Sequence, residues 1–186
     1  MMYLVGWVNC ANALAQGKLW AKRSAEQNDE YGQWVYAWIL LRELRIEEGL
    51  QQMFLSAEQG FPAAIHHLGL FLVNGICLSR DKPTGLSMLK LSSSMGSYSS
   101  LVYLRHYAKL GELGFGARVR AYSTMAVREF FAMLAGFIPY ATTKRKALIY
   151  VFHTEVENKI RREIQGEEIS AKYEVALREY VTKLNR

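Results

Sequence analysis

Apolar residues recur at helical spacing along most of the chain, and glycine residues interrupt the pattern at regular intervals. Ile65, Leu68, Phe71 and Leu72 form one apolar face between two such glycines. Only three prolines occur, so long stretches between them are free to be helical. The pattern predicts an all-α chain.

The helical pattern repeats along the chain. The segment around Gly60 recurs 36 residues later, so that Gly60 maps onto Gly96 and Gly75 maps onto Gly111. A fainter copy lies 32 residues earlier and places Asn28 at the position of Gly60. Self-similarity at such a period is typical of stacked helical hairpins. We therefore expect equivalent corners at Asn28, Gly60 and Gly96.

The residues at these corners suit a turn between two helices. Glycine accepts the left-handed conformation that ends a helix, and Asn28 is the next best residue for it. Pro62 follows the corner at the start of the next helix, where a missing N–H costs nothing. Small residues at helix contacts let neighbouring helices approach closely: Ala57, Ala64, Gly69, Ser93 and Ser100. One hairpin cannot bury its apolar face alone, so the repeat predicts a stack.

Several short motifs in this region resemble the Sel-one-like repeat, a relative of the tetratricopeptide repeats. The motifs are Ala57-Glu58-Gln59-Gly60, Leu68-Gly69, Asn74-Gly75-Ile76, and Asp81 before the next helix. The resemblance covers about residues 19–114. It implies a right-handed α-α superhelix, a short solenoid of hairpins, and a non-enzymatic role in binding another protein. Such roles include scaffolds, adaptors and immunity proteins, often in bacterial envelope or secretion systems.

The sequence departs from the family pattern in identifiable places. Ile76 and Cys77 fill the loop where a second glycine is usual, and Arg105 replaces the glycine of the third repeat's second helix. The connection from Leu41 to Gly49 is altered beyond recognition. The curvature of the stack therefore cannot be inherited from the family.

The repeat fades in residues 115–186, although helical periodicity continues. Helices are predicted over 119–137, 144–165 and 167–184, with Pro139 and Gly166 as interruptions. The last two are amphipathic and are predicted to form a capping pair at the open end of the stack. We expect one domain over residues 1–186.

The net charge of +6 is concentrated in one segment. Residues 115–146 carry a basic patch against a single acidic residue, Glu129: Arg118, Arg120, Arg128, Lys144, Arg145 and Lys146. The patch could face an acidic protein or an anionic surface, lipid or nucleic acid. The simpler alternative is a solvated edge of the helix array.

No motif for catalysis, metal binding or nucleotide binding is found. His66 and His67 are adjacent and point about 100° apart on a helix, which does not suit one metal. The serine cluster between Ser92 and Ser100 has no nucleophile elbow around it, and small residues at a helix contact explain it better. We therefore expect no enzyme, metal or cofactor.

Compartment and redox state stay open at this stage. Cys10 and Cys77 could pair in an exported protein or remain buried thiols, of which the thiols are favoured. Residues 3–15 resemble the apolar part of a signal peptide but lack a preceding basic region. A cytoplasmic location is therefore slightly favoured over a periplasmic one.

Aromatic side chains are the candidate anchors for a partner, since Trp and Tyr dominate binding surfaces. Five could line a groove of the solenoid: Trp20, Trp34, Tyr36, Tyr103 and Tyr107. The leading hypothesis is a module that binds and sequesters or organises another protein, with its oligomeric state undetermined. The alternative is a binder of anionic surfaces that docks through residues 118–146 on lipid, with nucleic acid disfavoured.

Overall fold

The computed structural model describes residues 13–111, 113–134, 155–160, 162 and 182. The helices follow one another with short connections: α1 (Ala13–Glu26), α2 (Glu30–Arg42), α3 (Ile46–Glu58), α4 (Pro62–Asn74), α5 (Lys82–Ser94), α6 (Tyr98–Lys109) and α7 (Phe115–Leu134). Residues 155–160 are also helical, and the described ranges contain no strand. The predicted all-α class is confirmed.

Consecutive helices pack against each other and form three hairpins, α1/α2, α3/α4 and α5/α6. The corners lie at Asn28, Gly60 and Gly96, whose φ angles are 57°, 85° and 100°. All three are in the left-handed region, where a side chain is disfavoured and glycine is tolerated. The predicted equivalence of the three corners is confirmed.

The corners also share one hydrogen-bond pattern that satisfies the carbonyl groups at the helix end. In each, the backbone N–H that follows the left-handed residue donates to a serine carbonyl five positions earlier: Asp29 to Ser24 (3.2 Å), Phe61 to Ser56 (3.1 Å) and Ser97 to Ser92 (3.0 Å).

The steps of 32 and 36 residues between successive corners differ because of one loop. The α2–α3 connection has three residues, 43–45, whereas the α4–α5 connection has seven, 75–81.

The repeated serines also join one hairpin to the next through their side chains. The Ser56 hydroxyl donates to the carbonyl of Glu30 at 2.7 Å, and the Ser92 hydroxyl donates to that of Pro62 at 2.6 Å. Glu30 and Pro62 are the first residues of α2 and α4. Both serines are fully buried. We call this contact the serine bridge. The step of 36 residues places Ser92 at the position of Ser56, but it does not predict the contact.

Close packing between successive hairpins depends on glycine. A Cβ atom on Gly85 would lie 2.6 Å from the carbonyl oxygen of Gly69 and 2.6 Å from a methyl group of Val73. One on Gly49 would lie 2.8 Å from the Leu41 side chain and 3.2 Å from the Ala37 carbonyl oxygen. The α2/α3 and α4/α5 junctions are therefore in near backbone contact.

The loop after α4 contains two residues in the left-handed region, of which one is not glycine. Gly75 has φ 66°, and Cys77, which stands where a second glycine is usual, has φ 59°. Asp81 then begins α5, and its carboxylate accepts a hydrogen bond from the Thr84 N–H at 3.2 Å. The Cys77 side chain is buried in the core.

The buried side chains form two clusters. The first joins α1 to α4 with Met88 of α5, and it also includes Val156 and Ile160, which are 1% and 2% exposed. The second joins α4 to α7. The Lys159 ammonium donates to the carbonyl of Arg42, the last residue of α2, at 2.9 Å.

The segment 155–160 therefore packs against the first hairpins, not at the open end of the stack as the sequence predicted. Spacing of four residues shows that Val156 and Ile160 share a face, but it does not reveal which neighbour that face meets. The rest of the predicted capping pair lies outside the described residues.

Candidate binding site

The third junction, between α6 and α7, differs from the two before it. Arg105 occupies the position held by Ala37 in α2 and Gly69 in α4. Its side chain is half-buried, and its guanidinium carbon lies 5.7 Å from the centre of the Tyr122 ring on α7. The contact at this position is therefore made by a long charged side chain and a ring, where the earlier junctions have alanine and glycine.

The outer side of α7 carries exposed apolar side chains. Phe115, Val119 and Tyr122 are 78%, 51% and 40% exposed and lie within about 60° of one another around the helix. We call these three residues the α7 stripe. With Arg118 and Ser123 they line a shallow groove. The sequence predicted this helix but not that its apolar positions Val119 and Tyr122 face outward.

The exposed apolar surface continues onto α6. Tyr98, Val102 and Leu110 are between 41% and 57% exposed. One counterpart in the preceding hairpin is covered, since His66 stands at the place of Val102 and is 4% exposed. The His66 side chain contacts Ser100 and Tyr103 of α6, whereas Val102 remains 41% exposed.

The structure describes only part of the predicted basic patch. Arg118 and Arg120 are exposed on α7, with Arg118 beside the α7 stripe and Arg120 on the other side of the helix. Arg128 lies in α7, but its side chain is outside the described set. Lys144, Arg145 and Lys146 lie outside the described residues.

The five predicted aromatic anchors differ in accessibility. Trp20 is 55% exposed, and the Arg23 guanidinium lies 5.4 Å from its ring. Tyr36 and Tyr103 are half-buried. Trp34 and Tyr107 are buried, so in this conformation they stabilise the two core clusters and present little surface to a partner.

Rings from successive hairpins form a continuous interior cluster. Trp34 lies 5.7 Å from Phe61 and 5.8 Å from His67, and His67 lies 4.9 Å from Trp38, all measured between ring centres. The His67 Nδ1 is 2.7 Å from the Ala63 carbonyl oxygen and 3.2 Å from the Trp34 Nε1. One nitrogen cannot donate to the first and accept from the second. The shorter contact places the proton on Nδ1.

The second histidine belongs to a buried chain of hydrogen bonds. The His66 Nδ1 lies 2.8 Å from the Ser100 hydroxyl, which donates to the Ser92 hydroxyl at 2.9 Å. Ser92 in turn forms the serine bridge to Pro62. All three side chains are at most 4% exposed, so no substrate reaches either hydroxyl. These hydrogen bonds join the α3/α4 hairpin to the α5/α6 hairpin. This agrees with the prediction that Ser92 and Ser100 are small residues at a helix contact.

Burial keeps both histidines neutral. Loss of solvation lowers the pKa of His67 to about 4, although its hydrogen bond to Ala63 opposes the change. The pKa of His66 is lowered well below 6.5, first by burial and then by the nearby His67. Neutral imidazoles are compatible with a packed interior.

Other candidate chemistry is sparse in the described part of the chain. The Cys77 thiol is free and buried, and burial with the charge of Glu157 raises its pKa to about 12, so it is protonated and a poor nucleophile. Cys10 lies outside the described residues. No group of three His, Cys, Asp or Glu side chains among the described residues could hold a metal ion.

Comparison of the chain with models of protein families, with curated proteins and with solved structures finds no match. Within the described ranges, no helix is long and apolar enough to cross a bilayer. The last hairpin and α7 present the exposed apolar surfaces described above, and Trp20 and Tyr31 present others on the first hairpin.

Proposed function

We propose that this chain is a non-enzymatic helical-repeat module of the Sel-one-like type that binds another protein. The sequence motifs and the three equivalent hairpin corners support this proposal. The observation that carries it is the α7 stripe, which exposes three large apolar side chains. Exposed apolar side chains that lie together mark interaction sites more often than isolated ones do.

The chemistry of the stripe suits a protein partner. Phe115 and Tyr122 are rigid rings that bury much area with little loss of side-chain entropy, and Arg118 beside them can pair with a carboxylate at the rim. We infer a partner surface with a small apolar recess and an acidic edge. By analogy with the family, the partner belongs to an envelope or secretion system that this module sequesters or organises.

Quantitative affinity purification tests this function. The tagged protein is expressed in its native cell, and co-purifying proteins are compared between the wild type and the variant Phe115→Asp/Val119→Asp. We expect a stoichiometric partner with the wild type and at least tenfold less of it with the double variant, because a charge in an apolar contact costs several kcal/mol.

The matched control is Val127→Asp. Val127 is 54% exposed on the same helix but lies about 120° around it from Phe115. Circular dichroism confirms that each variant remains helical. Recovery of the same partner in equal amounts from both variants would rule out the stripe, and the absence of any stoichiometric partner would argue against the function itself.

A second candidate is docking on an anionic membrane surface, which the position of Arg118 beside exposed Phe115 and Val119 favours. An apolar stripe flanked by cations can lie at a lipid interface. Co-sedimentation with vesicles of phosphatidylcholine and phosphatidylglycerol, at low and at high salt, distinguishes the two functions. Binding that needs the anionic lipid and falls steeply with salt supports the membrane; indifference to vesicles supports the protein partner.

A further inference from the structure

The third junction contains a cavity that the proposed function does not use. It has a volume of about 430 Å³ and lies between α5, α6 and α7. This size is within the range of small-molecule sites in proteins. The cavity lies on the side of α7 that faces away from the α7 stripe, so the two features are separate.

The floor and the rim of the cavity have different chemistry. Leu101, Leu104, Leu113 and Ala121 form a floor of buried apolar side chains. Lys90 of α5 and Arg120 of α7 lie at the exposed rim from opposite helices. None of the described residues that line the cavity is acidic.

Hydroxyl groups complete the rim. Ser93, Ser94 and Thr124 line it as well. The Ser94 hydroxyl already donates to the Leu91 carbonyl at 2.7 Å, which leaves Ser93 and Thr124 as the hydroxyl donors for a ligand. Two cations and two hydroxyls around one opening provide charge-assisted hydrogen bonds to an oxyanion.

We propose that this cavity binds a single-chain amphiphile with an oxyanion headgroup, a carboxylate or a phosphate. The alkyl chain occupies the leucine floor, and Lys90 and Arg120 hold the headgroup at the rim. This site does not rest on the protein-binding role, since none of its lining residues belongs to the α7 stripe.

Isothermal titration with four ligands of equal chain length tests the proposal: decanoate, decyl phosphate, decanol and decyltrimethylammonium, each below its micelle concentration or solubility limit. We expect one site per chain with a Kd on the order of 0.1 mM for at least one anion. Decanol and the cation should bind at least tenfold more weakly. A tenfold preference between the two anions identifies the headgroup, and equal binding shows that the shared oxyanion is recognised.

Methyl NMR of leucine-labelled protein locates the ligand. Decanoate or decyl phosphate should shift the Leu101 and Leu104 methyl signals and leave the Leu50 signal, in the first core cluster, unchanged. Shifts confined to other leucines would overturn the assignment, as would the absence of binding by both anions or equal affinity for the cationic amphiphile.

Variants separate recognition of the headgroup from burial of the chain. The double variant Lys90→Gln/Arg120→Gln should weaken anion binding about tenfold and leave decanol binding unchanged. Gly116→Leu places a side chain at a lining position where a Cβ meets no atom within 4 Å, and it should weaken every ligand.

The matched control for the headgroup variant is Lys109→Gln, which removes an exposed cation of α6 that does not line the cavity. It should leave the affinity for both anions unchanged. If Lys109→Gln lost as much affinity as Lys90→Gln/Arg120→Gln, the loss would be an effect of net charge alone, and the proposal would be overturned. Thermal unfolding of each variant confirms that it folds.

Discussion

The second junction of the stack, between α4 and α5, and the third, between α6 and α7, are packed differently. Between α4 and α5, Gly69 and Gly85 bring two backbones together, with the Gly85 carbonyl oxygen 3.0 Å from where a Cβ on Gly69 would lie. At the α6/α7 junction, Arg105 stands at the position of Gly69 and contacts the Tyr122 ring, and a cavity of about 430 Å³ lies between α5, α6 and α7. The second junction is thus closed by direct backbone contact, whereas a recess remains at the third.

The difference also separates stability from function along the chain. The closed junctions contain the serine bridges, the neutral histidines and most fully buried side chains. Helix α7 contains the α7 stripe and the exposed cations Arg118 and Arg120, while further exposed apolar side chains, among them Trp20 and Tyr31, lie on the first hairpin. The proposed binding surface on α7 thus lies outside the two closed junctions, which repeat proteins allow because each unit contacts mainly its neighbours.

The largest effect should follow from adding a methyl group at the closed α4/α5 junction. Gly85→Ala places a Cβ 2.6 Å from the Gly69 carbonyl oxygen and 2.9 Å from the Val73 nitrogen, so the backbone has to move. We expect the free energy of unfolding to fall by about 3 kcal/mol. Urea unfolding followed by circular dichroism measures it. A loss below 0.5 kcal/mol would mean that the two helices are not in backbone contact.

The second largest effect should be a loss of stability in acid, caused by the buried histidines. The unfolded chain protonates His67 near pH 6.5, whereas the folded chain does so near pH 4, so stability is full above pH 6.5 and falls as the pH decreases between these values. His67 alone should cost about 2 kcal/mol at pH 5 relative to pH 7.5, and His66 adds to it. Urea unfolding at the two pH values measures the loss.

The variant His67→Gln provides the control for the acid effect. Its free energy of unfolding should depend less on pH by about 2 kcal/mol over the same interval, since glutamine does not titrate. Identical pH dependence in the wild type and the variant would show that His67 is not a neutral buried group.

Removal of one serine bridge should have a smaller effect. Ser92→Ala removes the hydroxyl donor to the Pro62 carbonyl and the acceptor of the Ser100 hydroxyl, and we expect a loss of about 1.5 kcal/mol. Ser94→Ala is the control, because the Ser94 hydroxyl is exposed and bonds only within its own helix. Equal effects of the two substitutions in thermal unfolding would refute the bridge.

The smallest change should be a gain in stability at the open α6/α7 junction. Gly116 is the second residue of α7, and an added Cβ would meet no atom within 4 Å. Gly116→Ala should raise the free energy of unfolding by about 0.5 kcal/mol, because alanine favours the helix and reduces the entropy of the unfolded chain. Replacing glycine by alanine should thus lower the free energy of unfolding at Gly85 and raise it at Gly116. A loss above 1 kcal/mol for Gly116→Ala would contradict the comparison of the two junctions.

The sequence predicted the hairpins well because their corners depend on local chemistry. Gly60, Gly96 and Asn28 are the residue types that accept a positive φ, and Pro62 and Asp81 are typical of a helix start. These preferences act over a few residues, so they are readable without knowledge of the rest of the fold. The all-α class and the step of 36 residues followed from them.

Features that depend on distant neighbours were not predictable in this way. The alignment placed Ser56 and Ser92 at equivalent positions, but the carbonyl groups that they bond lie 26 and 30 residues away. Arg105 was visible as a departure from the pattern, yet its consequence depends on Tyr122 in another helix. For the same reason the apolar face of Val156 and Ile160 was assigned to the wrong neighbour.

The contact between Lys159 and Arg42 joins residues that are 117 positions apart. The first hairpins can form early during synthesis on the ribosome, because their own contacts are local. Their core, however, is complete only when the segment 155–160 has emerged and folded back onto it. Until then the nascent chain exposes the groups that Val156 and Ile160 later cover, so chaperones have a defined interval in which to bind.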